Sequence, residues 1–185
     1  HPMPVLNGEV TYEGGFKSSP ASQQRVIFWA CILNGALAGH TYGASGIWQI
    51  STEDFNAGIS PGGINWGDIP WKQAYQFPGS KHVGLSKMFL NNFPWWELES
   101  HPEWVEPHWD QEDYAMPVTA GISGGLRIVY FPACRPSPTI NKLETDVTYQ
   151  GFFFDPINGK VYNIGKINVD QNGKWQIPVP PIMQD

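Results

Sequence analysis

The sequence predicts an α/β unit followed by an all-β unit, and two observations carry this prediction. Strand-like runs at residues 4–6 and 40–42 flank a run of helical periodicity at 21–38, which is the order of a βα unit in a parallel sheet. After Trp109, short alternating runs are separated by turn clusters, which is typical of an antiparallel β-sandwich. We therefore predict two domains, at residues 1–100 and 101–185.

The amino-acid composition indicates which kinds of molecule the protein can bind. Of the 185 residues, 41% are hydrophobic and nine are tryptophan, so the chain can build a core and also offer flat rings for stacking on sugars. A formal charge of -6 without a basic cluster argues against nucleic acid. The longest apolar runs fall far short of the roughly 20 residues that span a bilayer. We expect a carbohydrate partner, with neither nucleic acid nor membrane.

The first strand-like run ends in two carboxylates, Glu9 and Glu13, with Tyr12 between them. In a (β/α)8 barrel, catalytic residues lie where strands end and loops begin, so this position favours an active-site acid. The alternative is a β-hairpin, because Asn7-Gly8 is also a two-residue turn signal. The short arm before the turn makes the hairpin the weaker interpretation.

The helix at residues 21–38 is predicted to begin after Ser18-Ser19-Pro20, with a serine cap and proline at the first helical position, and to end at Gly39. A long irregular loop is expected at 51–68, and further helices at 71–77 and 80–91, with Pro78-Gly79 as the break between them. We place the domain boundary near residues 99–108.

Two cysteines, Cys31 and Cys134, are predicted to be free, buried thiols, because a single distant pair fits neither a metal site nor a disulfide framework. The histidines likewise show no metal-ligand spacing. No phosphate loop is present in the sequence, so we expect neither a metal nor a cofactor.

Three motifs resemble the C-terminal portion of the apiosidase-like glycoside hydrolases, in which a catalytic (β/α)8 barrel precedes a β-sandwich of the collagen-binding type. They are Pro4-Val5-Leu6-Asn7-Gly8-Glu9 continuing to Tyr12-Glu13, Ala38-Gly39-His40-Thr41-Tyr42-Gly43 continuing to Gly46-Ile47-Trp48-Gln49, and Trp71 with Phe77-Pro78-Gly79. The resemblance implies that residues 1–100 hold barrel strands seven and eight with their helices. It also implies a sandwich that lacks its last strand beyond Gln184-Asp185, and a secreted or periplasmic protein.

The same resemblance implies roles for particular side chains. Glu9 would be the nucleophile or the base that activates water, and Glu13 is the second catalytic candidate. The acid/base would come from the N-terminal portion of the same enzyme, as a separate chain or a missing segment. The predicted substrate-binding residues are Tyr12, His40, Tyr42, Trp48 and Gln49.

Each of these interpretations has a structural alternative. His40 and Tyr42 alternate along one strand and would share a face, but a lone histidine is often a hydrogen-bonded core residue. Trp48 could pack instead of stacking on a sugar, and Trp66 and Trp71 are expected to pack. For the whole chain, the alternative to a glycoside hydrolase is a non-catalytic module that binds carbohydrate or protein.

Overall fold

The structure is a computed structural model that describes residues 3–15, 19–55, 58–59, 61–63, 66–132 and 137–181. The predictions made for Ser18, Cys134 and Gln184-Asp185 lie outside the described residues.

A parallel strand pair with one connecting helix opens the chain. Strand β1 (Leu6–Asn7) pairs with β2 (Gly39–His40) in parallel, Leu6 opposite Gly39 and Asn7 opposite His40. A parallel bridge further along joins Glu13 to Ala44. Helix α1 (Ala21–Leu33) connects the two strands. The predicted strand, helix, strand order is therefore confirmed, and the hairpin alternative at Asn7-Gly8 is wrong.

Helix α1 is shorter than predicted. It ends at Leu33, where Asn34 is the C-cap residue, and Gly35 follows with a φ of +100°. A glycine in this left-handed region stops a helix because it turns the chain away from the helical path. The predicted end at Gly39 is therefore wrong. The start differs by one position, because Pro20 is the N-cap residue and Ala21 the first helical residue.

Two more helices follow, α2 (Trp71–Ala74) and α3 (Pro78–Leu90). From the sequence we expect α3 to start at Ser80, with Pro78-Gly79 separating it from the preceding helix. Proline is well tolerated in the first turn, because the N–H that it lacks would have no helical partner there. The dipeptide therefore begins α3.

The rest of the chain is built from antiparallel strands, linked by short 3-10 helices at Trp95–Glu97 and Pro102–Trp104. In the described part of the chain there are eight of these strands, and they lie in three sheets. Their bounds are β3 (Glu99–Ser100), β4 (Val105–Glu106), β5 (Val118–Ile122), β6 (Leu126–Tyr130), β7 (Thr139–Ile140), β8 (Gln150–Phe154), β9 (Val161–Lys166) and β10 (Trp175–Gln176). The sheet orders are β3-β5-β6, β10-β7-β4 and β8-β9. The predicted antiparallel character is confirmed.

One hydrophobic core joins the helices to the first antiparallel sheet. Trp29 of α1 stacks on Tyr130 of β6 with ring centroids 5.7 Å apart, and both side chains are buried. Leu90 of α3 belongs to the same cluster. A second, smaller core around Ile140 and Tyr149 lies among the later strands. The segment that carries β1 and β2 is thus held by α1 against a sheet from the second half of the chain.

None of the described helices is long and apolar enough to cross a bilayer.

Candidate active site

Glu9 lies two residues beyond β1 and its carboxylate is exposed. The hydroxyl of Tyr12 donates a hydrogen bond of 2.9 Å to Oε1 of Glu9. Among the residues that the structure describes, Tyr12 is the hydrogen-bond partner of this side chain. The carboxylate is therefore both oriented and reachable from solvent, as a reacting group must be.

Three aromatic rings form what we call the aromatic corner: Tyr12, whose hydroxyl contacts Glu9, together with Trp48 and Trp66. Tyr12 stacks on Trp48 with centroids 5.8 Å apart and planes inclined by 21°. Trp66 meets both rings edge-on, at 6.0 Å from Tyr12 and 4.9 Å from Trp48. Trp48 is 49% exposed. The corner therefore presents a flat apolar surface next to a carboxylate.

From the sequence we expect Trp66 to pack, whereas the structure places its ring in the aromatic corner. Its contact with Trp48 spans a Gly- and Pro-rich loop that carries no periodic signal. No local pattern in the sequence predicts that the Trp48 and Trp66 rings meet.

Glu13 has a different environment from Glu9, since it is only 4% exposed. The backbone N–H of Gly79 lies 3.1 Å from Oε1 and 3.0 Å from Oε2, and the Tyr42 hydroxyl donates a 2.6 Å hydrogen bond to Oε2. Gly79 is in the first turn of α3, where unpaired N–H groups and the helix dipole favour an anion. Glu13 therefore anchors α3.

Both oxygens of Glu13 are used in these contacts, so the geometry does not support its interpretation as a catalytic candidate. Burial, followed by the hydrogen bond to Glu13, raises the pKa of Tyr42 far above its ordinary value, so this hydroxyl stays protonated as a donor. The Tyr42 hydroxyl therefore donates its hydrogen bond to the buried carboxylate of Glu13. From the sequence we expect Tyr42 to contact substrate instead.

His40 lies on the side of the strand pair that faces α1. Its ring packs edge-on against Phe28 with centroids 5.2 Å apart, and burial lowers its pKa. Both ring nitrogens are buried and have no hydrogen-bond partner among the described residues. Asn7, its neighbour in register, also reaches α1, where its amide donates to Sγ of Cys31 at 3.1 Å. The structure thus packs His40 against α1, and its role in binding substrate stays a prediction.

The structure also shows the surroundings of Cys31 and Gln49, for which the sequence predicts a free buried thiol and a substrate contact, respectively. Cys31 is a free cysteine as predicted, but it is only half-buried. The amide oxygen and nitrogen of Gln49 are buried and lack a hydrogen-bond partner within the described ranges, so its role in binding substrate stays a prediction. In that same part of the chain, no three His, Cys, Asp or Glu side chains are grouped as metal ligands.

A family model described as "Apiosidase-like, catalytic domain" matches residues 1–97, which is more than half of the chain and includes the whole site. The chain belongs to the apiosidase-like family. A search of curated proteins finds no match.

Two solved structures are similar to the apiosidase-like chain over nearly its whole length. One, titled "Glycoside hydrolase", has a TM-score of 0.76 and 20% sequence identity over 98% of this chain. The other, titled as a glycoside hydrolase family 5 protein from Bacteroides vulgatus ATCC 8482, has a TM-score of 0.75 and 18% identity over 94%. The chain spans 40% and 38% of their respective lengths. The likeness shows that the chain shares the fold of the matched part of these two structures.

Proposed function

We propose that the apiosidase-like chain supplies one of the two carboxyl groups of a glycoside hydrolase active site, and that Glu9 carries it. The single observation behind this proposal is an exposed carboxylate, just past a parallel strand, that is hydrogen-bonded by Tyr12 and bordered by the aromatic corner. Family membership over residues 1–97 supports the reaction class.

In this reaction one carboxyl group donates a proton to the leaving oxygen, while the other attacks the anomeric carbon or activates water. Glu9 takes the second role. Trp48 offers its exposed face to the apolar side of a sugar ring, which would set the ring beside the carboxylate. The substrate is accordingly a polysaccharide or oligosaccharide side chain.

The acid/base is proposed to come from the N-terminal portion of the same enzyme. Strand β1 has β2 as its partner, and Met3, Val5 and Leu6 around it are 85%, 56% and 56% exposed. An open apolar edge of this kind is normally covered by further strands. The remaining strands of a (β/α)8 barrel would cover it and bring the second carboxyl group to the same mouth. A secreted or periplasmic location is proposed on the family resemblance alone.

The separation of the two carboxyl groups then decides the stereochemical course. A distance of roughly 5 to 5.5 Å corresponds to retention at the anomeric carbon, and about 6.5 to 9.5 Å to inversion.

The test is a Glu9→Gln variant of the full-length enzyme, assayed on a panel of aryl glycosides. The amide keeps the shape of the side chain but can neither attack nor remove a proton, so kcat should fall by at least about 10³-fold. Glu112→Gln, at an exposed glutamate in the second half of the chain, is the matched control and should retain full activity. A Glu9→Gln enzyme with wild-type turnover would reject the proposal, and wild-type protein that binds sugars but cleaves none of them would favour the binding-module alternative.

A further inference from the structure

The Tyr12 ring packs directly against the backbone of Gly43, in the space that a side chain at residue 43 would occupy. A Cβ atom added at Gly43 would be 2.4 Å from Cδ1 and 2.6 Å from Cε1 of Tyr12, much closer than such contacts occur. The φ angle of Gly43 is not in the left-handed region, so an alanine there would meet no backbone strain. Residue 43 must therefore be glycine because any side chain there would overlap the Tyr12 ring.

The backbone on both sides of Tyr12 is tied down. The side-chain amide of Gln24 donates to the carbonyl of Thr11 at 2.6 Å, and the N–H of Glu13 donates to the carbonyl of Gly43 at 2.9 Å. With Trp48 stacked on the ring and Trp66 at its edge, the side chain cannot move aside cheaply. A group added at residue 43 would therefore displace the ring and carry its hydroxyl away from Glu9.

We propose that Tyr12 is a positioning residue for Glu9, held in place by Gly43, so that one carboxylate oxygen is fixed by the phenol and the other faces the substrate. This inference rests on the proposed function of Glu9. A hydrogen bond from a fixed donor restricts rotation of the carboxylate and favours one attack geometry, which lowers the barrier without adding contacts to the sugar.

The Tyr12 hydroxyl is able to donate this hydrogen bond at neutral pH. Burial, and then the hydrogen bond and charge of Glu9, raise the pKa of Tyr12 above its ordinary value. The hydroxyl therefore remains protonated at neutral pH, and the phenol does not compete with Glu9 as a base.

The experiment compares Tyr12→Phe and Gly43→Ala in the full-length enzyme, with the best-cleaved aryl glycoside as the probe. Tyr12→Phe keeps the ring stack and removes only the hydroxyl. Because a hydrogen bond to a charged group is lost, kcat should fall about 10- to 100-fold while KM changes by less than about 2-fold. Gly43→Ala should lower kcat by a similar factor through displacement of the ring.

Gly84→Ala is the matched control, since a Cβ atom at Gly84 in α3 would meet no other heavy atom within 4 Å. It should leave both kinetic constants unchanged. The double variant Tyr12→Phe with Gly43→Ala should lose no more activity than the worse single variant, because both changes remove the same hydrogen bond.

Several results would overturn this inference. An unchanged kcat in Tyr12→Phe would do so, and so would a raised KM with normal kcat, which would make the hydroxyl a sugar contact. Multiplicative losses in the double variant would separate Gly43 from Tyr12. If Gly43→Ala does not fold, Tyr12→Phe alone still decides the role of the hydroxyl. An inactive Glu9→Gln enzyme beside fully active Tyr12→Phe leaves the proposed function intact and rejects the positioning role, whereas an active Glu9→Gln enzyme rejects both.

Discussion

Replacing Glu13 by glutamine should destabilise the protein, although the same change at Glu9 should not. The two glutamates are four positions apart, but Glu13 is 4% exposed and Glu9 is exposed. The carboxylate of Glu13 accepts hydrogen bonds from the Gly79 N–H and the Tyr42 hydroxyl at the start of α3. A glutamine oxygen in the place of Oε2 can still accept from both donors, but it carries no charge, and the NH₂ group that replaces Oε1 faces the Gly79 N–H as a second donor.

The size of the effect follows from these contacts. Hydrogen bonds to a charged group contribute about 1.5 to 3 kcal/mol each, and an anion at a helix N-terminus adds about 0.3 to 1 kcal/mol. Glutamine keeps only the weaker, neutral form of these hydrogen bonds and loses the favourable interaction of a charge with the helix N-terminus. We therefore expect Glu13→Gln to lower the free energy of unfolding by about 2 to 3 kcal/mol.

The assay is equilibrium unfolding of the full-length enzyme in urea, followed by tryptophan fluorescence. Glu9→Gln is the matched control and should change the free energy of unfolding by less than about 0.5 kcal/mol, as surface substitutions usually do. If Glu13→Gln proves as stable as the control, the carboxylate does not anchor α3 and the assignment of separate roles to the two glutamates fails.

Two further predictions concern stability. Burial opposes ionisation of Glu144, but hydrogen bonds from Tyr149 and Arg127 outweigh it and lower the pKa of Glu144 from 4.5 to about 2. Since the folded pKa lies below the unfolded one, ionised Glu144 stabilises the fold above about pH 4.5, by at most about 2 kcal/mol after allowance for its partial exposure, and this contribution is lost as the pH falls towards 2. The difference in unfolding free energy between wild type and Glu144→Gln should therefore shrink between pH 5 and pH 2 in urea titrations, and a difference independent of pH would contradict the linkage. Gly79→Ala should destabilise by about 1 to 3 kcal/mol, because a Cβ atom there would lie 2.2 Å from Oε2 of Glu13. Gly84→Ala should be neutral or stabilising by up to about 1 kcal/mol, and equal melting temperatures for the two variants would refute the packing at Gly79.

Local signals in the sequence were sufficient for most of the longer elements. Helix α1 begins at Ala21, directly after Pro20. Strands β5 and β6 flank Ser123-Gly124-Gly125, which is one of the turn clusters that separate the strand-like runs after Trp109 in the sequence. The two-residue strands β3, β4 and β7 were not predicted. Two residues are too few to show alternation, and these strands exist only because distant partners pair with them.

The site was predictable only in part, for reasons that lie in tertiary contacts. Glu9 follows its strand as expected, because this depends on local chain direction. The burial of Glu13 depends on Gly79, which is 66 positions away along the chain. His40 faces α1 because Phe28 packs on its ring, and strand alternation alone cannot say which face is covered by a helix. The aromatic corner joins Trp48 to Trp66, which are 18 positions apart, and no local pattern predicts this contact.

Chemical rescue tests the role of Glu9 most directly. In the full-length enzyme, Glu9→Ala removes the carboxylate and leaves a space in which a small anion can attack the anomeric carbon of an activated aryl glycoside. We predict that turnover of this variant falls by at least about 10³-fold, that added azide restores part of it, and that a glycosyl azide is formed. Undiminished turnover without azide, or an inactive but folded variant that azide does not restore, would contradict the assignment of Glu9 as the carboxylate that acts at the anomeric carbon.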